Sequence, residues 1–284
     1  MAELLDPRTI RRLADQIGLR PTKQRGQNFV VDANTVRRIV AKSGITSDDV
    51  VLEVGPGLGS LTLGLLETGA QVTVIEIEDA LARLLPETVR SLQPAAAERL
   101  RVVSADALQV REVPGPAPTA VVANLPYNVA VPVVLHLLET FPDWRTGLVM
   151  VQLEVADRLV AAPGSKVYGV PSAKLAWYAS AERVGTVPPT VFWPAPNVDS
   201  GLVRIVRRPA PATTATREQV FRVIDKAFAQ RRKMLRSALS GLFGSSAAAS
   251  EAIVAAGLDP TVRGEMLPIE DFVRIAEQLR EDER

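Results

Sequence analysis

The stretch from Val50 to Glu76 restricts the possible folds more than any other part of the chain. Val50-Val-Leu-Glu-Val54 is a short apolar run, Gly55-Pro-Gly-Leu-Gly59 is a glycine turn, Ser60 to Gly69 carries apolar residues at helical spacing, and Gln71-Val-Thr-Val-Ile-Glu76 is a second run. That order reads strand, turn, helix, strand. The three glycines remove the side chains that would hold a ligand away from the first strand's carboxyl end, and the helix offers unpaired backbone N–H groups there. Glu76 closes the second strand, where a carboxylate can accept two hydrogen bonds from a ribose diol. A site for a nucleoside-bearing cofactor is expected, against the alternative that the glycines only end the strand.

The spacing separates the nucleoside classes. Dinucleotide sites read G-x-G-x-x-G, whereas this turn reads G-x-G-x-G with Pro56 inside it. Gly55-Pro-Gly-Leu-Gly59 resembles the first motif of S-adenosylmethionine-dependent methyltransferases. Their cofactor carries no pyrophosphate, so the resemblance places its amino-acid portion near the helix N-terminus.

Composition sets outer limits. The 284 residues allow one large α/β domain and a small one, and 47% hydrophobic residues supply a substantial core. No cysteine is present, which excludes disulfides and thiolate metal sites and is compatible with a reducing compartment. No metal site is expected. With a net charge of +1, any nucleic-acid contact must come from local basic patches. Neither a signal peptide nor a membrane span is visible, so a cytoplasmic location with no membrane partner is expected.

Along the chain, Asp6-Pro7 reads as the start of a helix whose apolar stripe is Ile10, Leu13, Ala14 and Ile17. The basic stretch Arg20 to Val30 lacks helical periodicity and is either a solvated connector or a lid over the cofactor. Leu100-Arg-Val-Val103 is a third strand ending at Asp106, which either bonds an adenine amine or caps the turn. A fourth strand, Thr119 to Ala123, ends in Asn124-Leu125-Pro126-Tyr127, the most specific signal in the chain. Turn chemistry explains Asn and Pro at a strand end. Binding of a base uses all four: an amide oxygen and a backbone carbonyl accept from a planar amine, and an aromatic face stacks on its ring. His136, the single histidine, falls in an apolar helix and reads as a core or partly buried residue.

Asn124-Leu-Pro-Tyr127 resembles the Asn/Asp-Pro-Pro-Tyr signature of methyltransferases acting on exocyclic nitrogens, in the form that ribosomal RNA adenine dimethyltransferases carry. Gly26-Gln-Asn-Phe29, Gln152 to Val160, Ser165 to Gly169, Phe192-Trp-Pro-Ala-Pro-Asn-Val-Asp-Ser200 and Gln230-Arg-Arg-Lys-Met-Leu-Arg236 complete a resemblance to the small-subunit ribosomal RNA adenine dimethyltransferase family over almost the whole chain. Met234 and Val30 stand where that family commonly has Thr and Leu.

The resemblance implies an α/β fold, a Rossmann-like class I methyltransferase domain with a mostly parallel seven-stranded sheet, followed by a small C-terminal helical domain. The expected boundaries are residues 1–208 for the first, 209–216 for a Pro/Ala/Thr linker, and 217–284 for the second. It implies S-adenosylmethionine as cofactor, held at Asn28, Val30, Gly55, Gly57, Glu76, Asp106 and Asn124. Asn124, Leu125, Pro126, Tyr127 and Phe192 are the expected catalytic set, with Tyr127 and Phe192 around a flipped adenine. The implied substrate is the small ribosomal subunit, at two adjacent adenosines near the 3′ end of 16S rRNA, acted on by a monomer that also serves late subunit maturation. The competing readings are an enzyme of the macrolide-resistance type acting on large-subunit rRNA, and a non-catalytic assembly factor.

Helices are expected near Arg217 to Leu242, Ala247 to Ala256 and Ile269 to Leu279. Projected on one helix, Phe221, Ile224, Phe228, Leu235 and Leu239 share a face, and Arg222, Lys226, Lys233 and Arg236 form a stripe opposite. A solvated face is the ordinary explanation of such a stripe. Behind a domain with a base-binding signature, a phosphate-tracking RNA surface is expected instead.

Overall fold

The computed structural model describes residues 3–21, 27–126 and 129–279, so Tyr127 lies outside the described residues. The chain divides into two compact units, Met1–Ala156 with Ala181–Arg207, and Asp157–Ser180 with Arg208–Arg284.

The first unit opens with α1 (Pro7–Gln16), whose N-cap Asp6 accepts the Thr9 N–H at 2.7 Å. The two-residue strand β1 (Phe29–Val30) and α2 (Ala33–Ser43), capped by Asp32 and ended by left-handed Gly44, follow. Then comes the core alternation: β2 (Val50–Val54), α3 (Ser60–Glu67), β3 (Gln71–Glu76), α4 (Asp79–Leu92), β4 (Leu100–Ser104), β5 (Ala120–Asn124), α5 (Ala130–Thr140) and β6 (Thr146–Gln152). After α6 (Leu153–Leu159) and α7 (Val170–Tyr178), the chain adds β7 (Ala179–Val187), β8 (Phe192–Trp193) and β9 (Ser200–Arg207).

Seven strands form one sheet in the order β4-β3-β2-β5-β6-β9-β7. β2 pairs in parallel with β3 on one side and β5 on the other, and only beyond β6 does an antiparallel partner, β9, enter. All five residues of β2 are buried, which is why the strand reads as a continuous apolar run rather than an alternating one. The chain leaves β2 toward β3 on one side and returns at β5 on the other, so a crevice opens at the carboxyl ends between them.

The second unit is helical: α7, α8 (Arg217–Ala229), α9 (Leu235–Ala238), α10 (Ser246–Ala255) and α11 (Ile269–Ala276). Trp177 and Tyr178 of α7 meet the Phe221 ring edge-on at 6.4 and 6.1 Å, and the Tyr168 hydroxyl donates to the Leu267 carbonyl at 2.8 Å. Residues 157–180 therefore pack with the C-terminal helices, although the sequence boundaries place them in the first domain.

A second departure concerns the helix expected from Arg217 to Leu242. It breaks after Ala229: Gln230 leaves helical conformation and Met234 is extended. The cause is tertiary. Leu235 and Arg236 donate their backbone N–H groups to the carbonyls of Val262 and Pro260, and Arg231 bonds the Glu265 carboxylate at 2.7 Å and the Lys166 carbonyl at 2.8 Å. Arg222 and Lys226 thus lie on α8, while Lys233 and Arg236 follow the break, and the four do not form one stripe along one helix.

Candidate active site

A cavity of about 360 Å³ occupies the crevice at the carboxyl ends of β2, β3, β4 and β5. Its floor is the glycine turn. Gly55, Gly57 and Gly59 all have positive φ (+67°, +56° and +97°), a conformation that a side chain makes costly. At Gly57 a Cβ would also lie 2.6 Å from Cε1 of Phe29. That contact joins the N-terminal motif to the turn: β1 lies over Gly57, and β1 is itself held by antiparallel pairing to β8, Phe29 opposite Trp193 and Val30 opposite Phe192.

Glu76 closes β3 and lines the cavity. The Gly57 N–H donates to Oε2 at 3.2 Å and the Glu78 N–H to Oε1 at 3.0 Å, so the carboxylate is aimed by backbone. Burial raises its pKa, and those two N–H groups partly offset the rise. On β2, Glu53 is 1% exposed and also lines the cavity. Its pKa is pushed up to about 8 by burial, with the Thr62 hydroxyl donating to Oε2 at 2.7 Å and the negative charge of Glu76 adding to the rise.

Asn124 ends β5 with its amide oriented. Nδ2 donates to the Asn28 carbonyl at 3.1 Å, and because a carbonyl only accepts, the nitrogen must face it. The amide oxygen is thereby on the opposite branch of a group that lines the cavity. Asp106 also lines it, yet its carboxylate accepts from the Leu108 N–H at 2.9 Å and from the Gln109 side chain at 3.2 Å. Capping the turn and facing the cavity are thus both realised in one residue.

Of the residues singled out by sequence, Asn28, Val30, Gly55, Gly57, Glu76, Asp106, Asn124 and Pro126 converge on this cavity. Leu125 is buried, with its N–H donating to Met150, and only its backbone is available for a role there. Phe192 is 5% exposed, belongs to the hydrophobic core and does not line the cavity. It stands opposite Val30 in the β1–β8 pair, so that it holds β1 beside the cavity. His136 is partly buried and meets the Val110 carbonyl at 2.8 Å, away from the cavity wall.

Sequence reasoning passed over Glu53, Ser60, Ile77 and Leu108, all on the wall. Ile77 carried a signal, since it stands directly after the strand-closing carboxylate and is 65% exposed. Among the described residues, buried Ser60 Oγ and Gln27 Oε1 have no hydrogen-bond partner. Orphaned polar atoms in a cavity wall fit a ligand with a polar end. The carboxylates of Glu76 and Asp106 and the Asn124 amide on the wall fit a cationic cofactor. Among the described residues no cluster of His, Cys, Asp and Glu could hold a metal ion.

In the second unit, Arg222 and Lys226 are exposed on α8. Lys233 borders a separate groove of about 500 Å³ with Arg232 and Arg263, two cations that the helical projection did not pick out. Arg236 is partly buried near Asp259.

A mostly parallel sheet, a G-x-G-x-G floor, a carboxylate closing the next strand and an oriented amide at the fourth define a class I methyltransferase. The chain belongs to the ribosomal RNA adenine dimethylase family, which residues 18–281 match. The ribosomal RNA small subunit methyltransferase A of Cutibacterium acnes is 69% identical, over 97% of this chain and 94% of its own length. Among solved structures, a dimethyladenosine transferase from Plasmodium falciparum superposes with a TM-score of 0.71 at 20% identity, covering 86% of this chain and 94% of that one, and so shares the fold. The 23S rRNA methyltransferase ErmE superposes with a TM-score of 0.63 at 27% identity, covering 88% and 99%. Family membership makes the chain an enzyme, an S-adenosylmethionine-dependent methyltransferase acting on adenine in ribosomal RNA. Among the described residues no helix is long and apolar enough to cross a membrane.

Proposed function

We propose that this enzyme dimethylates N6 of two adjacent adenosines near the 3′ end of small-subunit (16S) ribosomal RNA, acting as a cytoplasmic monomer on the assembling small subunit. The high identity to a protein named for the small subunit favours this target over the large-subunit reading, which rests on the lower likeness to ErmE.

The observation that carries the chemistry is the Asn124 amide held by the Asn28 carbonyl. The exocyclic amine of adenine has its lone pair conjugated with the ring and attacks poorly until the nitrogen becomes pyramidal. Acceptors at Asn124 Oδ1 and the Leu125 carbonyl favour that change and point the lone pair at the methyl group, while Pro126 borders the place of the base. Tyr127, the next residue, is assigned to stack on that base. Glu76 is assigned to the ribose diol, with Gly55, Gly57, Asn28, Val30 and Asp106 as further cofactor contacts. When bound, S-adenosylmethionine supplies the electrophilic methyl. After transfer the nitrogen is cationic and acidic, so water takes the proton and no side-chain base is required.

Single-turnover methylation of unmethylated small subunits between about pH 6 and 9 tests this, because a histidine-like base would titrate in that range. A profile without a tenfold-per-unit rise is expected, and a flat one in Glu53→Gln, which removes the wall carboxyl that titrates at about 8. Asn124→Ala should lower the rate on bound substrate by about 2 to 4 kcal/mol of barrier. A rate rising tenfold per pH unit across the range would demand a titrating base and overturn the mechanism.

A further inference from the structure

The outer face of α1 carries Arg8, Arg11 and Arg12, all exposed, while Ile10, Leu13 and Ala14 bury the opposite face in the core. Local helix energetics account for only part of that face. Cations in the first turns oppose the helix dipole, and at that end only the N-cap Asp6, whose carboxylate is favoured by the Arg8 charge, offsets them. Arg8 and Arg12 are four residues apart, the spacing at which like charges meet and repel. Asp15 stands at a compensating spacing to two of them, four residues after Arg11 and three after Arg12.

The surrounding segment is basic out of proportion to the protein. Residues 3–25 hold six cations, Arg8, Arg11, Arg12, Arg20, Lys23 and Arg25, against three acids, in a chain whose net charge is only +1. The segment also leads directly to the cavity. Gln27 lines its wall, and the seven residues from Arg20 to Gln27 span at most about 25 Å even when fully extended. Arg20, four residues after the end of α1, is thereby held within that distance of the cavity wall. Guanidinium groups are well matched to phosphate, which they bind through paired N–H donors.

We propose that the arginine face of α1 is a phosphodiester-binding surface of the methyltransferase unit, engaging the backbone of the substrate RNA independently of the cations of the helical unit. The proposal rests on the reading of small-subunit ribosomal RNA as substrate.

The test uses the full chain as R8Q/R11Q/R12Q, as R8K/R11K/R12K, and as R38Q/R83Q/R111Q, which removes three exposed arginines elsewhere in the same unit. Binding to purified unmethylated small subunits is titrated across salt, with cofactor binding and melting temperature measured alongside. The α1 Gln variant is expected to lose about tenfold in affinity near 0.1 M salt and to show a log–log salt slope shallower by about two. Its KM for subunits should rise with kcat at saturation unchanged, and its melting temperature should stay close to wild type because the lost like-charge and opposite-charge pairs on an exposed helix face are each weak. The Lys variant should retain most of the affinity. Unchanged affinity and slope in a Gln variant that still binds cofactor would overturn the proposal, and so would an equal loss in the control variant. Wild-type protein that fails to bind small subunits at all would overturn the substrate reading instead.

Discussion

Two buried carboxyls on adjacent strands, Glu53 and Glu76, carry different predictions. Glu76 is aimed into the cavity by the Gly57 and Glu78 N–H groups, and its assigned partners are ribose hydroxyls. Glu76→Ala should weaken cofactor binding by about 1.5 to 3 kcal/mol, the range for hydrogen bonds to a charged group, and leave RNA binding nearly unchanged. Calorimetry showing wild-type cofactor affinity would remove it from the site. For Glu53, burial raises the folded pKa from the ordinary 4.5 to about 8. The folded chain then holds a proton that the unfolded chain releases, so stability is full below the unfolded value and falls as pH rises from there to about 8. The slope in that window is at most about 1.4 kcal/mol per pH unit. Glu53→Gln, which keeps an oxygen for the Thr62 hydroxyl, should flatten the profile, and a melting temperature that falls equally between pH 5.5 and 8 in both proteins would contradict this. Glu76 was legible because it ends a strand beside the glycine turn. Glu53 was not, because one carboxyl inside Val50 to Val54 gives no sign of which way it points until β2 is placed between β3 and β5.

Among the elements, the glycine turn and β1 depend on one another. Gly57→Ala should cost at least about 1 kcal/mol from its left-handed backbone alone. It should also displace β1 through the contact with Phe29, lowering both melting temperature and cofactor affinity. Adding Phe29→Leu should restore part of the affinity by removing the ring atoms in the way. A double variant no better than Gly57→Ala would mean that the contact does not set the position of β1. The central strands β2, β3, β5 and β6 were readable because burial on both faces leaves predominantly apolar runs. The break after Ala229 was not, since Leu235 and Leu239 continue the apolar spacing of α8. What ends that helix is the pairing of Leu235 and Arg236 with the distant carbonyls of Val262 and Pro260. The β1–β8 pairing that buries Phe192 was hidden for the same reason, as nothing local to either segment specifies the other.

For the whole molecule, the division of the chain changes what a truncation would do. A chain shortened to end at Arg208 keeps every residue of the cavity wall but strips α7 of α8 and α11. Leu175, Trp177 and Tyr178, all buried in the full chain, would be left uncovered. The shortened protein should bind hydrophobic dyes and self-associate, as large exposed apolar patches do. A monodisperse, dye-silent product would show that residues 157–180 do not depend on the C-terminal helices. The reaction itself is tested most directly by incubating the enzyme and S-adenosylmethionine with unmethylated small subunits and mapping the modified nucleotides by mass spectrometry. The expected result is N6,N6-dimethyladenosine at two adjacent positions near the 3′ end of the 16S rRNA. Methylation confined to large-subunit RNA, or no transfer by protein that binds both cofactor and subunit, would contradict it.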